Sequence, residues 1–374
     1  MVKTAERRLS RVDVIRSKFG QLRKDLNYFL IERQIEIDLV LAAMVCAEHC
    51  LLVGEPGTAK SLLVSNVRKA IEGAKKPFTV HCCKDTTRGA VFGPTKLSAL
   101  KDDRTDRALA GGAADTHFLI LEEVFKAGPA VLDMFLMLIN ERVYEEGLVS
   151  AEAPLRFCLA VSNEWKPEGC EAALAAFFDR FLFRKEVKRV SMRSLDRLLF
   201  SDIRFDPKDK ITLEELDTAT KVVEGYEMTK EARESFRTII ENLHAEGIFP
   251  GDRRMRKAVK AAKAYAFICQ DVEVETKHLD ILAHVLWNDP EEQPKKAARI
   301  IGVIANPTGT KITQLQEEME DVVAKNTPQE AVPKLKHIQA QLADLPMNPR
   351  KADALEYVAD MIKDRYDAVI GRRS

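Results

Sequence analysis

A parallel α/β sheet with helices on both faces, followed by a long all-helical region, is the architecture this sequence predicts. Two observations carry that prediction. Short apolar runs at about residues 50–53, 78–83, 118–121, 157–161 and 181–183 alternate with helical patterns, as in a parallel sheet with crossover helices. From about residue 201 onward the apolar spacing is helical.

The elements follow in order. Residues 1–38 read as a charged helical segment, and Leu39–Val45 as the buried helix before the first strand. The helix from Pro129 carries Val131, Leu132, Phe135, Leu136, Leu138 and Ile139 on one face, with Met134 and Met137 widening it. Core packing explains that face better than a hydrophobic substrate site. Residues 92–112, with Lys96, Lys101, Arg104, Arg107 and the pair Gly111-Gly112, read as an exposed hairpin or loop. Residues 142–156 alternate as a second hairpin. A helical domain spans 201–290, ending on Leu279, Ile281, Leu282, Val285 and Leu286. A C-terminal helical region, 291–374, follows Asp289-Pro290. It is punctuated at Asn306-Pro307, Thr327-Pro328 and Pro346 to Pro349, with stripes at Val332, Leu335, Ile338, Leu342 and at Leu355, Val358, Ile362, Tyr366, Val369.

The first strand runs into Gly54-Glu55-Pro56-Gly57-Thr58-Ala59-Lys60-Ser61, and a helix begins at its end. This is the setting of a phosphate-binding loop. Glycines let successive backbone N–H groups turn toward phosphate oxygens, and the following helix adds its N-terminal dipole. Lys60 supplies positive charge and the Ser61 hydroxyl can ligate Mg²⁺. Ala59 stands where the pattern has its second glycine, which is acceptable if the residue adopts right-handed α geometry.

The run Phe118-Leu119-Ile120-Leu121 delivers Glu122 and Glu123 to a strand's carboxyl end, the arrangement of a Walker B strand. Glu122 would hold Mg²⁺, and Glu123 would polarise the water that attacks the γ-phosphate. Phe157–Val161 ends in Ser162-Asn163-Glu164, where Asn163 could touch both γ-phosphate and water as a sensor 1 residue. Phe177-Phe178-Asp179-Arg180-Phe181 places Arg180 beside an apolar helix end. It could point at a neighbouring subunit or simply pair with Asp179.

These segments, with Val91-Phe92-Gly93-Pro94, Leu97 to Asp103, the run Phe118 to Gly147, Ala160 to Glu164 and Phe177 to Arg184, resemble the MoxR family of AAA+ ATPases, closest to its RavA-like branch. The likeness covers about residues 35–200 and extends more loosely to about 290. It implies an AAA+ P-loop NTPase core at 39–200 and a lid at 201–290. Alanine before the loop lysine fits the family, whereas Glu122 departs from its usual aspartate. By resemblance Arg180 is an arginine finger acting in trans. The lid's sensor 2 arginine would stand in Phe249-Pro250-Gly251-Asp252-Arg253-Arg254, with Arg253 preferred over Arg254. In related AAA+ machines the two hairpins face the central channel, though ordinary surface hairpins would read the same.

Composition sets limits. Lys+Arg 58 against Asp+Glu 58 gives no net charge, which offers nothing to general polyanion binding. No stretch approaches the roughly 20 apolar residues of a membrane span. The N-terminus reads as an amphipathic helix rather than a secretory leader. The seven cysteines sit mostly in apolar runs and read as reduced thiols, so a cytoplasmic location is expected. Cys46, His49, Cys50 and the triplet His81-Cys82-Cys83 lack the paired spacing of a zinc site.

The expected activity is Mg²⁺-dependent ATP hydrolysis in a ring homo-oligomer, a hexamer by resemblance. The ring would remodel, mature or load metal into a partner carrying a von Willebrand factor A domain. A magnesium-chelatase-like motor subunit, a nucleic-acid motor of restriction or replication type, and a nucleotide-switched scaffold are the alternatives.

Overall fold

The computed structural model describes residues 10–101, 106–146, 149–165, 177–191, 194–200, 204–207, 209–346 and 349–370. Its centre is a five-stranded sheet built from β1 (Cys50–Val53), β3 (Phe78–His81), β4 (Phe118–Glu122), β7 (Phe157–Ser162) and β8 (Phe183–Glu186). The order is β3-β4-β7-β1-β8 and each neighbouring pair is parallel. β1 and β7 are buried at every position, and β4 at all but its terminal Glu122, as expected of strands covered on both faces. Two two-residue strands, β2 (Ile71–Glu72) and β9 (Ile211–Thr212), pair beside this sheet. The antiparallel pair β5 (Val143–Glu146) and β6 (Val149–Glu152) forms the expected hairpin.

The fifth strand differs from its prediction. Phe181 and Leu182 are buried but precede it, and pairing with β1 begins at Phe183. The strand then runs through Arg184, Lys185 and Glu186, whose polarity hid it. In the 92–112 segment, Lys96 N–H donates to Asp106 O at 2.8 Å and Ala108 N–H to Pro94 O at 2.9 Å, closing a loop around the short helix Leu97–Lys101. Residues 102–105, and with them Arg104, lie outside the described residues.

Apolar packing redraws two borders. The expected division at residue 38 falls inside the helix Gln34–Val45. Asp38 itself is buried and takes both prongs of Arg23, at 2.5 and 2.6 Å. That ion pair ties in the helix Arg11–Phe29, whose Ile15, Phe19, Leu22 and Leu26 share the large core. Phe19 meets Phe267 of the helix Asp252–Ile268 edge-on, with centroids 5.5 Å apart. The N-terminal helix is therefore a buttress of the core and lid.

The second border, expected at 290, moves to Asn306. Ala297, Ile301 and Ala305 of the helix Gln293–Ala305 are buried in the large core. Beyond it, Pro307–Lys325, Pro328–Asp344 and Pro349–Ile370 enclose a core of their own around Ile312, Leu315, Leu335, Ile338, Leu342 and Val358. The proline at 290 ends a turn, and the lid resumes after it. Among the described residues no helix is long and apolar enough to cross a membrane.

Candidate nucleotide site

The loop after β1 is shaped by close approach and by left-handed turns. Gly54 N–H donates to Ser162 O at 3.0 Å, and a Cβ there would stand 2.3 Å from Val187 O, so only glycine fits. Gly57 has φ 81°, in the left-handed region that favours glycine. Ala59 departs from the sequence reading. It is left-handed, with φ 64° and ψ 19°, and stands as the residue before the helix Lys60–Lys69. An L-residue there costs roughly 1–2 kcal/mol, which the surrounding loop imposes.

Lys60 is buried, and its Nζ donates to Gly54 O and Glu55 O, both at 2.6 Å, and to Thr58 Oγ1 at 3.1 Å. Burial lowers the ammonium's pKa, opposed mainly by the nearby Glu123 carboxylate. An ammonium satisfied only by neutral oxygens in a partly desolvated loop is primed to exchange them for anionic ones.

The two metal-holding candidates meet. Ser61 Oγ donates to Glu122 Oε1 at 2.5 Å, joining the helix start to the end of β4. One hydroxyl and one carboxylate make the partial oxygen shell that Mg²⁺ takes from protein when substrate phosphates complete it. Among the described residues no group of three or more His, Cys, Asp or Glu side chains could form an all-protein cage. The residues present therefore fit Mg²⁺ in that mode.

Glu123 has φ 53° and ψ 40°, a second left-handed non-glycine residue at the site. Oε2 is shielded from solvent and accepts no hydrogen bond. Lys126 Nζ lies 3.1 Å from it as an ion pair without hydrogen-bond direction. A buried carboxylate oxygen with spare acceptor capacity is what orienting a water requires.

Asn163 follows Ser162 at the end of β7, between β1 and β4. The registers Val53↔Ser162 and Glu122↔Val161 put it level with Gly54, one step beyond Glu123, and it is exposed. The loop, Ser61, Glu122, Glu123 and Asn163 thus share the carboxyl edge of the sheet.

The two arginines do not join them. Arg180 ends the helical turn at 177–180 and is half-buried. Three residues later β8 begins, where Phe183 pairs with Cys50 at the opposite edge. Arg253 is exposed near the start of the helix Asp252–Ile268. Its neighbour Arg254 is buried against Asp179 and Leu182, which fixes this helix start at that same far edge. Within one chain neither Arg180 nor Arg253 lies beside Lys60, and Arg254 is already engaged.

Sequence reasoning missed three contributors. Arg33 is buried and donates to Thr58 O at 3.2 Å, to Lys188 O at 2.9 Å and to Glu32 O at 2.7 Å, bracing the loop. No motif marks it. His81 Nε2 lies 2.8 Å from Glu122 Oε2. The parallel register His81↔Glu122 would have found it once β3 and β4 were taken as neighbours. Arg189 pairs with Glu55 in the loop. His49, weighed above as a metal ligand, instead accepts from Cys158 N–H at Nδ1 (3.0 Å) and faces Ile139 O through Nε2 (3.1 Å). Burial pushes its imidazole well below the ordinary value, so it stays neutral.

Comparison with known proteins agrees with this fold. The family profile described as the MoxR domain in the MoxR-vWA-beta-propeller ternary systems matches residues 17–224, more than half of the chain. An AAA lid domain profile matches residues 231–300, running past Pro290 as the packing does. An uncharacterized protein of Methanocaldococcus jannaschii is 33% identical over 296 residues, 79% of this chain and 78% of that protein. A second from the same organism is 35% identical over 288 residues, 74% and 72%. A crystal structure of a candidate ATPase from Cytophaga hutchinsonii shares the fold, with TM-score 0.62 and 18% identity over 78% of this chain and 95% of that one. This chain belongs to the MoxR family of AAA+ ATPases.

Proposed function

We propose that the chain hydrolyses ATP to ADP and phosphate in a ring of its own copies, a hexamer, and uses that cycle to remodel a partner protein. The observation that carries this reading is the meeting of Ser61 with Glu122 beside the left-handed turn at Glu123, across β7 from the loop that holds Lys60. Mg²⁺, held by Ser61 and Glu122, would supply Lewis-acid neutralisation of phosphate charge. Backbone N–H groups of Gly54, Glu55, Pro56-flanking Gly57, Thr58, Ala59, Lys60 and Ser61 bind the phosphates, and Lys60 trades its carbonyl partners for phosphate oxygens. Glu123 accepts a hydrogen bond from the attacking water, and Asn163 orients that water against the γ-phosphate.

The place of Arg180 at the far edge supports action in trans: it serves the site of the next subunit, where it stabilises charge on the transferred phosphoryl group. Arg253, at the same edge, is assigned the same direction. The description of the matched profile supports a partner with a von Willebrand factor A domain. Maturation of a client, metal loading included, is the assigned outcome, with the cytoplasm as its setting.

Phosphate release with wild type and Glu123→Gln tests the chemistry. Turnover should fall by about 10²-fold or more while ATP binding persists. The ATP-locked variant should also retain a von Willebrand factor A partner on affinity capture. Wild-type turnover in Glu123→Gln would remove that residue from the mechanism. Salt-dependent DNA binding would favour a nucleic-acid motor instead.

A further inference from the structure

Two buried arginines join the Arg180 segment to the lid. Arg254 is 5% exposed. Its Nη2 donates to Asp179 O at 3.0 Å and Asp179 Oδ1 at 2.7 Å, and its Nη1 to Leu182 O at 3.3 Å and Val285 O at 3.1 Å. Arg184 is 1% exposed. Its guanidinium lies 4.5 Å from the ring centre of Phe178 and 4.3 Å from that of Trp287, and it donates to Trp287 O. Each keeps a buried Nε without a partner. Burying a guanidinium is costly, and a half-satisfied one more so. Both nonetheless hold residues 178–182 against residues 285–287 of the lid.

Arg180 sits between the anchored points. Asp179 precedes it and Leu182 follows two residues later, and both give their carbonyls to Arg254. The carboxylate of Asp179 is 61% exposed, so its ion pair alone is weak. The carbonyl bonds, made by a buried donor, hold the backbone more firmly. A finger that must reach another subunit's phosphate needs its backbone fixed to within about 0.5 Å.

We propose that Arg254 and Asp179 form a positioning pair for Arg180, coupling the orientation of the lid to the placement of the arginine finger. This rests on the role of Arg180 given under Proposed function. Sensor 2 chemistry is not assigned to Arg254: its donors already serve this joint, and Arg253 is left for the nucleotide.

The test uses the full chain with Arg254→Lys, which keeps charge but loses the forked donor, and Asp179→Asn, an exposed change that keeps the fold. Amide hydrogen exchange over residues 177–182, without nucleotide, reads the joint itself. Steady-state ATPase assays read its consequence. Exchange should quicken clearly in Arg254→Lys and less in Asp179→Asn, which leaves the carbonyl bonds in place. The kcat of Arg254→Lys should fall about tenfold or more, since small misplacements of catalytic groups are costly, and that of Asp179→Asn by less, while KM for ATP stays near wild type in both.

Neither variant should lower kcat further when added to Arg180→Ala. In mixed rings both should regain activity with Glu123→Gln, which brings an intact finger, and neither should regain it with Arg180→Ala. Unchanged exchange, quickened exchange with wild-type kcat, or a loss that adds to that of Arg180→Ala would each overturn the proposal. Full activity in Arg180→Ala would overturn the finger assignment and the positioning role with it. The exchange result tells these failures apart, because it requires no ATP chemistry.

Discussion

Ending the chain at Asn306 or at Pro290 should give two very different proteins. The cut at Asn306 removes the three helices from Pro307 to Ile370, whose buried residues face one another. The large core loses none of its buried members. The cut at Pro290 also removes Gln293–Ala305 and takes Ala297, Ile301 and Ala305 out of that core. Burial of one isoleucine is worth about 1.5–3 kcal/mol and each alanine methyl about 0.8 kcal/mol, so the side chains alone account for roughly 3–5 kcal/mol. The face they covered, near Leu279, Leu282 and Leu286, becomes wet and contributes a comparable loss. Against a domain stability of about 5–15 kcal/mol, such a change can unfold the lid. Size-exclusion chromatography and thermal melting decide the matter. The Asn306 chain should be soluble with a cooperative melt close to that of the full chain, and the Pro290 chain should aggregate or melt broadly. Equal stability of the two truncations would refute the placement of Gln293–Ala305 in the lid, and aggregation of the Asn306 chain would refute the independence of the bundle.

Ala59→Gly should raise stability by about 0.5–1 kcal/mol, because relief of left-handed strain of roughly 1–2 kcal/mol outweighs the added entropy of the unfolded chain; an unchanged or lower urea midpoint would deny the left-handed turn. Lys60→Ala should weaken ATP binding itself, read by calorimetry, since its ammonium is the buried cation of the loop. Below about pH 6.5 the unfolded chain takes up a proton that buried His49 refuses. Stability should therefore fall with pH by up to about 1.4 kcal/mol per unit from this group, and urea unfolding of His49→Asn should show a shallower slope. Among the described cysteines, alkylation of the native protein should mark Cys83, which is exposed, and spare Cys46, Cys50 and Cys158, whose thiols burial pushes up.

The sheet was legible because buried parallel strands announce themselves as apolar runs between helices, and β1, β4 and β7 fall where those runs stand. β8 was read two residues early, because a strand that carries Arg184, Lys185 and Glu186 at an edge does not look like one. Borders were harder. Proline and acidic residues mark turns, but a turn is a domain border only if the apolar faces on its two sides ignore each other. That is a property of packing between segments, and Asp289-Pro290 and Asn306-Pro307 look equally good without it. The border at 38 failed in the same way, since Asp38 packs against Arg23, fifteen residues away in sequence.

The site divides along similar lines. The residues proposed to serve the nucleotide come from contiguous motifs, because a loop and a strand end present neighbouring residues to one edge of a sheet. Lys60, Ser61, Glu122, Glu123 and Asn163 accordingly meet at one edge of the sheet. What steadies them is drawn from scattered positions: Arg33 under Thr58 and His81 on Glu122. Each acts through a carbonyl or carboxylate that any sequence could offer, so none has a signature. Arg180 was legible only by resemblance, and its place shows why composition or spacing could not assign it. In a parallel sheet, the residue before a strand and the residue after one are separated by the strand's whole length. An arginine at the amino edge and a phosphate loop at the carboxyl edge cannot serve one nucleotide within one chain. If both serve ATP, the working unit is two adjacent copies, and the joint between the lid and the Arg180 segment is the place where one subunit's shape can set its neighbour's rate.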